Sequence, residues 1–335
     1  ENYNSDLKYR RFNVTTNVNM NITKTTKLDI GIRGFFSNNN LPAISTESIF
    51  GEAMVIAPTE FPLEFPDGRI PGKSSNGGFR NPWADLTRRG YRTEFDNSIY
   101  SNLRLTQDLS FLVKGLSINS MFAFDVNNEV NITRQKREPT YWFVDIDNPR
   151  NPDGSLNLRE TFAGNGNFLS YERANDGNRR FYSQTAINYD NQFGDHRIGG
   201  MALFYTDDYM HLFAGNYENS IPDRYVGLAT RVTYSYDDRY FVEGNLGFNG
   251  SGLFDPDRRY GTFPAIGLGW VVSNEKFFAP VKDVITYLKF RASYGSTGIG
   301  KINNRRFAFM DIVQGDRDGY RYRYNDYSEM RGINI

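Results

Sequence analysis

Phe12-Asn13-Val14-Thr15-Thr16-Asn17-Val18-Asn19-Met20-Asn21-Ile22 alternates at almost every step. Side chains of a strand point to opposite faces with period two. Phe12, Val14, Thr16, Val18, Met20 and Ile22 therefore share one face, and Asn13, Thr15, Asn17, Asn19 and Asn21 share the other. The pattern returns along most of the chain with no competing helical period. A long array of two-faced antiparallel strands fits a transmembrane barrel, with lipid outside and water inside.

About ten strands of spanning length can be read. They run near 10–22, 27–37, 95–109, 116–126, 179–192, 196–213, 226–236, 240–248, 261–272 and 286–294. The sixth alternates worst. Connections after odd strands are short: 23–26, 110–114, 193–195 and 237–239, with a longer one near 274–285. Those after even strands are mostly long: 38–94, 135–178, 249–260 and 296–335, with an intermediate one near 214–222. Outer-membrane barrels combine short periplasmic turns with long extracellular loops, whereas a sandwich or propeller has no such parity rule. Tyr189, Phe193, Tyr234, Tyr236, Tyr240 and Trp270 collect near the short turns, where amphipathic rings would sit at headgroup level. The expected fold is all-β: part of a transmembrane antiparallel β-barrel, with residues 1–335 belonging to one barrel domain.

Composition removes several alternatives. The 335 residues carry 39 Lys plus Arg and 39 Asp plus Glu, so no net charge recommends nucleic acid as a partner. No cysteine is present, which excludes disulfides and thiol-held metals. His196 and His211 are the only histidines, and neither has a nucleophile partner in sequence. No catalytic constellation emerges, so no enzyme is expected. Mean hydropathy is −0.59. Barrel strands are apolar only at alternate positions, so such averages overlook them.

Residues 239–275 contain Gly250-Ser251, Phe254, Arg259-Tyr260-Gly261, Phe263-Pro264, Gly269-Trp270 and Glu275, and Leu288–Gly298 follows as another strand. This succession resembles the SusC/RagA family of TonB-dependent outer-membrane transporters and covers roughly sixty residues. The turn departs from the family pattern: Asn249 and Leu253 stand where Asp and Arg are common. The resemblance implies a barrel of about 22 strands with a plugged lumen. It also implies active import of a bulky nutrient, glycan or oligopeptide, across the outer membrane. The expected partners are TonB, a SusD-like surface lipoprotein and outer-membrane lipid, with a possible dimer of transporter–lipoprotein pairs. The chain reads as an interior piece of a longer polypeptide whose plug and TonB-contacting segment lie elsewhere. A siderophore or cobalamin transporter would share the barrel; a soluble lectin-like all-β protein or an adhesin would not need the resemblance.

Candidate contacts lie in the long loops. Trp83, Tyr141, Trp142 and Phe143 could stack on sugars or peptides, or simply pack the loops. Asn151, Asp153, Asn157 and Glu160, around Gly154, partly track a calcium loop, although Pro149 stands where its first Asp belongs. Otherwise no cofactor is expected. Tyr320–Tyr324 alternates rings and guanidiniums and reads as a further strand or loop arm. On the wall, Asn13, Asn17, Asn19, Asp29, Arg33, Asn102, Arg104, Asn119, Asp125, Arg231, Lys289 and Arg291 would face the lumen.

Overall fold

A computed structural model describes residues 6–73, 80–300, 306, 307, 309, 310, 322, 323, 329 and 330. In chain order it contains β1 (Lys8–Asn21), β2 (Thr26–Pro42), α1 (Thr46–Val55), β3 (Ile70–Pro71), α2 (Pro82–Thr87), β4 (Gly90–Asp108), β5 (Leu116–Gln135), β6 (Thr140–Phe143), β7 (Leu158–Phe162) and β8 (Glu172–Phe193). There follow β9 (His196–His211), α3 (Tyr217–Ser220), β10 (Asp223–Tyr236), β11 (Tyr240–Ser251), β12 (Tyr260–Val271) and β13 (Lys289–Gly295). Tyr322–Arg323 (β14) pairs with Glu329–Met330 (β15); the rest of the Tyr320–Tyr324 run lies outside the described residues. One sheet holds the ten long strands in sequence order, β1-β2-β4-β5-β8-β9-β10-β11-β12-β13. Each strand read from the sequence is present. Several are longer: β2 reaches Pro42, β5 reaches Gln135, and β8 starts at Glu172.

The chain forms two compact units. The first comprises Glu1–Thr16, Ile32–Tyr100 and Val126–Asn178, and contains the two longest loops. These loops are not bare coil. They carry α1, α2 and a small sheet in which β3 runs parallel to β6 and β6 antiparallel to β7. Each helix has a side-chain cap. Ser45 Oγ accepts from Ser48 N, and Asn81 Oδ1 accepts from Trp83 N and Ala84 N with Pro82 opening the helix. Phe65, Ile70 and Ala84 are buried there, and Pro42 and Pro71 are fully enclosed.

The second unit comprises Asn17–Gly31, Ser101–Asp125 and Arg179–Ile335. From β9 to β13 each neighbouring pair is antiparallel and in unbroken register. That register puts all even-numbered positions of these strands on one face. Leu228, Val232, Val242, Leu246, Ile266, Leu268 and Phe290 are all on it, and all are exposed. Odd positions carry Arg197, Asp207, Arg231, Glu243, Asn245, Lys289 and Arg291. The tight turn between β10 and β11 follows from its residues: Asp237 and Asp238 have φ of 49° and 48°, a left-handed pair that Asp tolerates, and Arg239 N closes the turn on the Tyr236 carbonyl at 3.0 Å.

A dry core between stacked sheets would bury the apolar face. Instead Val14 is 49% exposed, Val18 38%, Leu103 44%, Leu105 42% and Val232 61%. Among the described residues of the ten wall strands, the buried apolar side chains are Ala186, Val271 and the terminal Pro42. So much exposed apolar wall is stable only in an apolar solvent. Along β10 the even positions turn charged at Arg224, which pairs with Asp208 at 2.8 Å. From there to Tyr236 the register counts twelve steps. At about 3.3 Å per step and a tilt of about 40° this stands roughly 30 Å tall, enough for the apolar band and its interfaces. Among the described residues no helix is long and apolar enough to cross a membrane; the crossing elements are strands.

Two predictions follow from this geometry. Phe122→Arg, on the apolar face, is expected to cost about 2–4 kcal/mol in denaturant unfolding from lipid vesicles, while Asn119→Arg on the polar face costs less than about 1 kcal/mol. Gly115 has φ +86°, and a Cβ there would lie 2.0 Å from the Asp190 carbonyl oxygen. Gly115→Ala should therefore destabilise the β4–β5 hairpin by more than about 1 kcal/mol in the same assay.

Candidate functional site

In the first unit, β6 places Tyr141, Trp142 and Phe143 in succession, opposite Glu160, Arg159 and Leu158 of β7. Gly72 N donates to the Tyr141 carbonyl at 3.0 Å, and Thr161 Oγ1 donates to the Gly72 carbonyl at 2.6 Å, tying both loops together. Around this strand a ring cluster forms. Phe143 meets Phe65 edge-on at 5.4 Å, and Trp142 meets Phe61 at 6.2 Å and Phe143 at 5.6 Å. Cations cap the ring faces. Arg69 lies 5.2 Å from the Tyr141 centroid, Lys73 Nζ 4.6 Å from Trp142, and Arg88 5.1 Å from Trp83. Tyr141, Trp142 and Phe143 thus come together with two phenylalanines of the preceding loop, and Trp83 sits on α2 with its own cation. A solute stacking on these rings would have to use the uncapped faces or displace a cation worth about 0.5–1 kcal/mol.

Beside the cluster, Asp85 is buried with Arg80 Nε at 3.4 Å and Arg89 Nε at 3.6 Å. Burial pushes its carboxyl up, and Arg89, Arg80 and Arg137 oppose that shift. Arg88 reaches Glu64 at 3.0 Å and Glu138 at 3.5 Å. These charges join α2 and the residues that end it to the loop segments around Glu64, Arg80 and Glu138, with Asp85 buried and Arg88 half-buried.

The calcium-like segment is a closed hairpin turn. Asn151 N donates to the Ser155 carbonyl, Gly154 takes φ +85°, and Asp153 Oδ1 accepts from both the N and the Oγ of Ser155. Those hydrogen bonds hold the Asp153 carboxyl below its ordinary range. Asn157 donates its N–H to the Pro149 carbonyl, while Glu160 lies within β7. Among the described residues no group of three or more His, Asp or Glu side chains is placed to hold a metal ion.

In the second unit, the polar face is laced by ion pairs. Arg180 grips Asp207 with two bonds of 2.7 and 2.6 Å, and Arg197 grips Asp190 with 2.9 and 2.7 Å. Arg306 holds Asp223 at 2.7 Å and donates to the Glu218 carbonyl at 2.8 Å, fastening the segment after β13 to α3 and β10. An open concavity of about 860 Å³ runs over β10–β13, lined among others by Arg197, Glu243, Asn245, Lys289 and Arg291. Arg231, Lys289 and Arg291 occupy the polar parity read for them.

The turn motif is explained by packing. Gly250 pairs with Tyr260, whose ring would clash with a Cβ at 2.5 Å. Tyr260 stacks on Phe248, with centroids 5.4 Å apart and an interplanar angle of 2°. Phe263 lies against Gly261 and Gly298, where Cβ atoms would come within 2.7 and 2.4 Å of its ring. Pro264 sits inside β12 rather than at its start. Its carbonyl accepts from Ser296 N, so its missing donor faces the β13 side, just beyond the last ladder pair, Ala265–Gly295. Ser251 N donates to the Arg259 carbonyl at 3.0 Å, Phe254 N donates to the Ser251 carbonyl at 3.3 Å, and Leu253, in place of the common Arg, is buried.

At the opposite end of the same strands, Glu275 gathers the motif's other half. Tyr240 Oη donates to Oε1 at 2.6 Å, Trp270 Nε1 to Oε1 at 3.0 Å, and Arg239 Nη1 to Oε2 at 3.2 Å. Sequence alone supplied Trp270 and Glu275 but not Arg239 and Tyr240 as their partners; these lie on the preceding hairpin, and the β11–β12 register that pairs Tyr240 with Trp270 brings them in. The Tyr240 bond first, then that of Trp270, holds Glu275 below the ordinary carboxylate range, with desolvation opposing. A depressed folded value means the stabilisation is complete above the unfolded value and fades as pH falls through the folded one. Fluorescence of the Trp270 environment is therefore expected to change on acidification below about pH 4, and Glu275→Gln should abolish that transition.

No protein-family model matches the chain. Curated relatives do. The chain is 29% identical to TonB-dependent receptor P39 of Formosa agariphila over 182 residues, which is 47% of this chain and 17% of that protein. It is 34% identical to TonB-dependent receptor SusC of Bacteroides thetaiotaomicron over 96 residues, 29% of this chain and 9% of that one. Over 352 residues, 94% of the chain, it is 24% identical to TonB-dependent receptor P3 of Formosa agariphila and spans 32% of it. Among solved structures, the RagAB peptide transporter superposes with a TM-score of 0.62 at 14% identity, covering 99% of this chain and 36% of that one. The chain thus spans no more than about a third of these proteins. In sequence the chain is similar to stretches of TonB-dependent receptors, SusC among them, and in fold it resembles part of the β-barrel wall of the RagAB transporter.

Proposed function

We propose that the chain supplies part of the single barrel domain of a TonB-dependent importer for a bulky nutrient, a glycan or an oligopeptide. The observation that carries this reading is the two-faced wall: an apolar face exposed along its length, backed by a face of paired and unpaired polar groups. Such a wall encloses a hydrated path and performs no bond-making. Tyr141, Trp142 and Phe143, with Trp83 on α2 of the same unit, would meet solute or a SusD-like lipoprotein at the loop side. TonB would act through a plug segment outside this stretch. The similarity to SusC and the fold shared with the peptide transporter RagAB support this class without choosing between sugar and peptide. A siderophore or cobalamin importer would share the wall; a soluble lectin-like protein is opposed by the exposed apolar face.

The test is uptake by cells expressing the full-length protein, offered labelled oligopeptides, oligosaccharides and iron chelates. Accumulation of one of the first two that disappears when TonB is removed is the expected outcome. Uptake indifferent to TonB, or release of the protein from membranes without detergent, would refute it. In the same cells Trp142→Ala is expected to lower uptake about tenfold, within the range of a single aromatic anchor, while leaving heat-modifiable gel migration intact.

A further inference from the structure

The β12–β13 connection, residues 272–288, is much longer than the other connections at its end of the wall, such as Gly194-Asp195 and residues 237–239. It is also two-sided. Val272, Ser273 and Phe278 are buried and pin it to the strand ends, helped by Ser273 N donating to the Leu288 carbonyl at 3.3 Å. Its other side exposes Phe277 at 65%, Val281 at 44%, Val284 at 85%, Ile285 at 42% and Tyr287 at 64%. Backbone bonds from Val284 N and Ile285 N to the Val281 carbonyl fold these three apolar residues into one turn.

This apolar side is continuous with the exposed apolar face of the wall. Trp270 and Phe290 are on that face, and Trp270 contacts Phe277 at 6.5 Å and Phe290 at 6.4 Å. Exposed Lys276 precedes the apolar residues and exposed Lys282 lies among them, beside exposed Asp283. We propose that the connection is an interfacial foot, lying in the headgroup layer of the periplasmic phospholipid leaflet. Phe277, Val281, Val284 and Ile285 enter the acyl boundary, and the two lysines meet headgroup phosphates. A short amphipathic segment that carries lysines beside its apolar residues partitions to this depth. Ring residues at its junction with the wall suit the same layer. The inference rests on the reading of the even-numbered face as lipid-facing.

The experiment uses the full-length protein with Val284→Cys or Val232→Cys, each labelled with bimane and reconstituted in vesicles of phosphatidylcholine and phosphatidylglycerol. Both sites are exposed, and only variants that keep heat-modifiable gel migration are measured. Lipids are brominated either near the headgroup or near the acyl terminus. Label at position 284 should lose about half its emission with shallow bromines and little with deep ones, as an interfacial segment would. Label at 232 should respond more to deep bromines. If 284 is unquenched while 232 responds, the connection faces water or a protein and the proposal is wrong. If 232 is unquenched as well, the lipid-facing wall itself is refuted, and the foot with it.

Discussion

Everything in this chain depends on where its backbone hydrogen bonds and its apolar side chains find satisfaction. The backbone is paired strand to strand, so each wall strand needs its neighbours. The side chains are not satisfied within the chain: Leu228, Val232, Leu246, Leu268 and their row mates face outward, and the wall strands have almost no buried apolar residues. The hydrophobic term that stabilises a soluble domain is here supplied by lipid. One parity therefore sets solvent, orientation and the surface open to a solute. A slip of one residue in any pairing would turn a whole row of leucines and valines into the lumen.

The polar face is organised by local geometry rather than by a single site. Arg180–Asp207 and Arg197–Asp190 are cross-strand pairs with two bonds each, and Arg306 holds a loop by a carboxylate and a carbonyl. In the loop layer, cations lie over Tyr141, Trp142 and Trp83. These rings are already engaged, so the solute contact proposed for them would need their uncapped faces or a cation that moves aside.

The wall was legible because its signal is strong where lipid and water compete. Every strand core but that of β9 showed alternation, and the turn at Asp237-Asp238 announced itself. Strand ends were not legible. Asn38-Asn39-Asn40, Asn127-Asn128-Glu129 and Glu172–Asn178 stay in β2, β5 and β8, but there water wets both faces, so pairing persists after alternation has gone. The sixth strand, β9, alternates weakly because Met201 and Leu203 fall on its polar side and Gly200 on its apolar side. The loop elements were missed for a different reason. β3, β6 and β7 have two to five residues and α1 buries none of its own, so periodicity has nothing to act on. Asn81-Pro82 was a usable helix-start signal, an Asn cap followed by proline.

Phe263 fits between two glycines, one two positions before it on its own strand and one past the end of β13. Neither glycine has positive φ, so neither is there for backbone freedom; both are there for the volume they leave empty. Relatives should then treat the three positions as one inherited unit. Wherever a bulkier residue replaces either glycine, the aromatic ring must swing aside or shrink in the same lineage, so the trio is expected to surface as correlated change across an alignment even though only one pair is close in sequence.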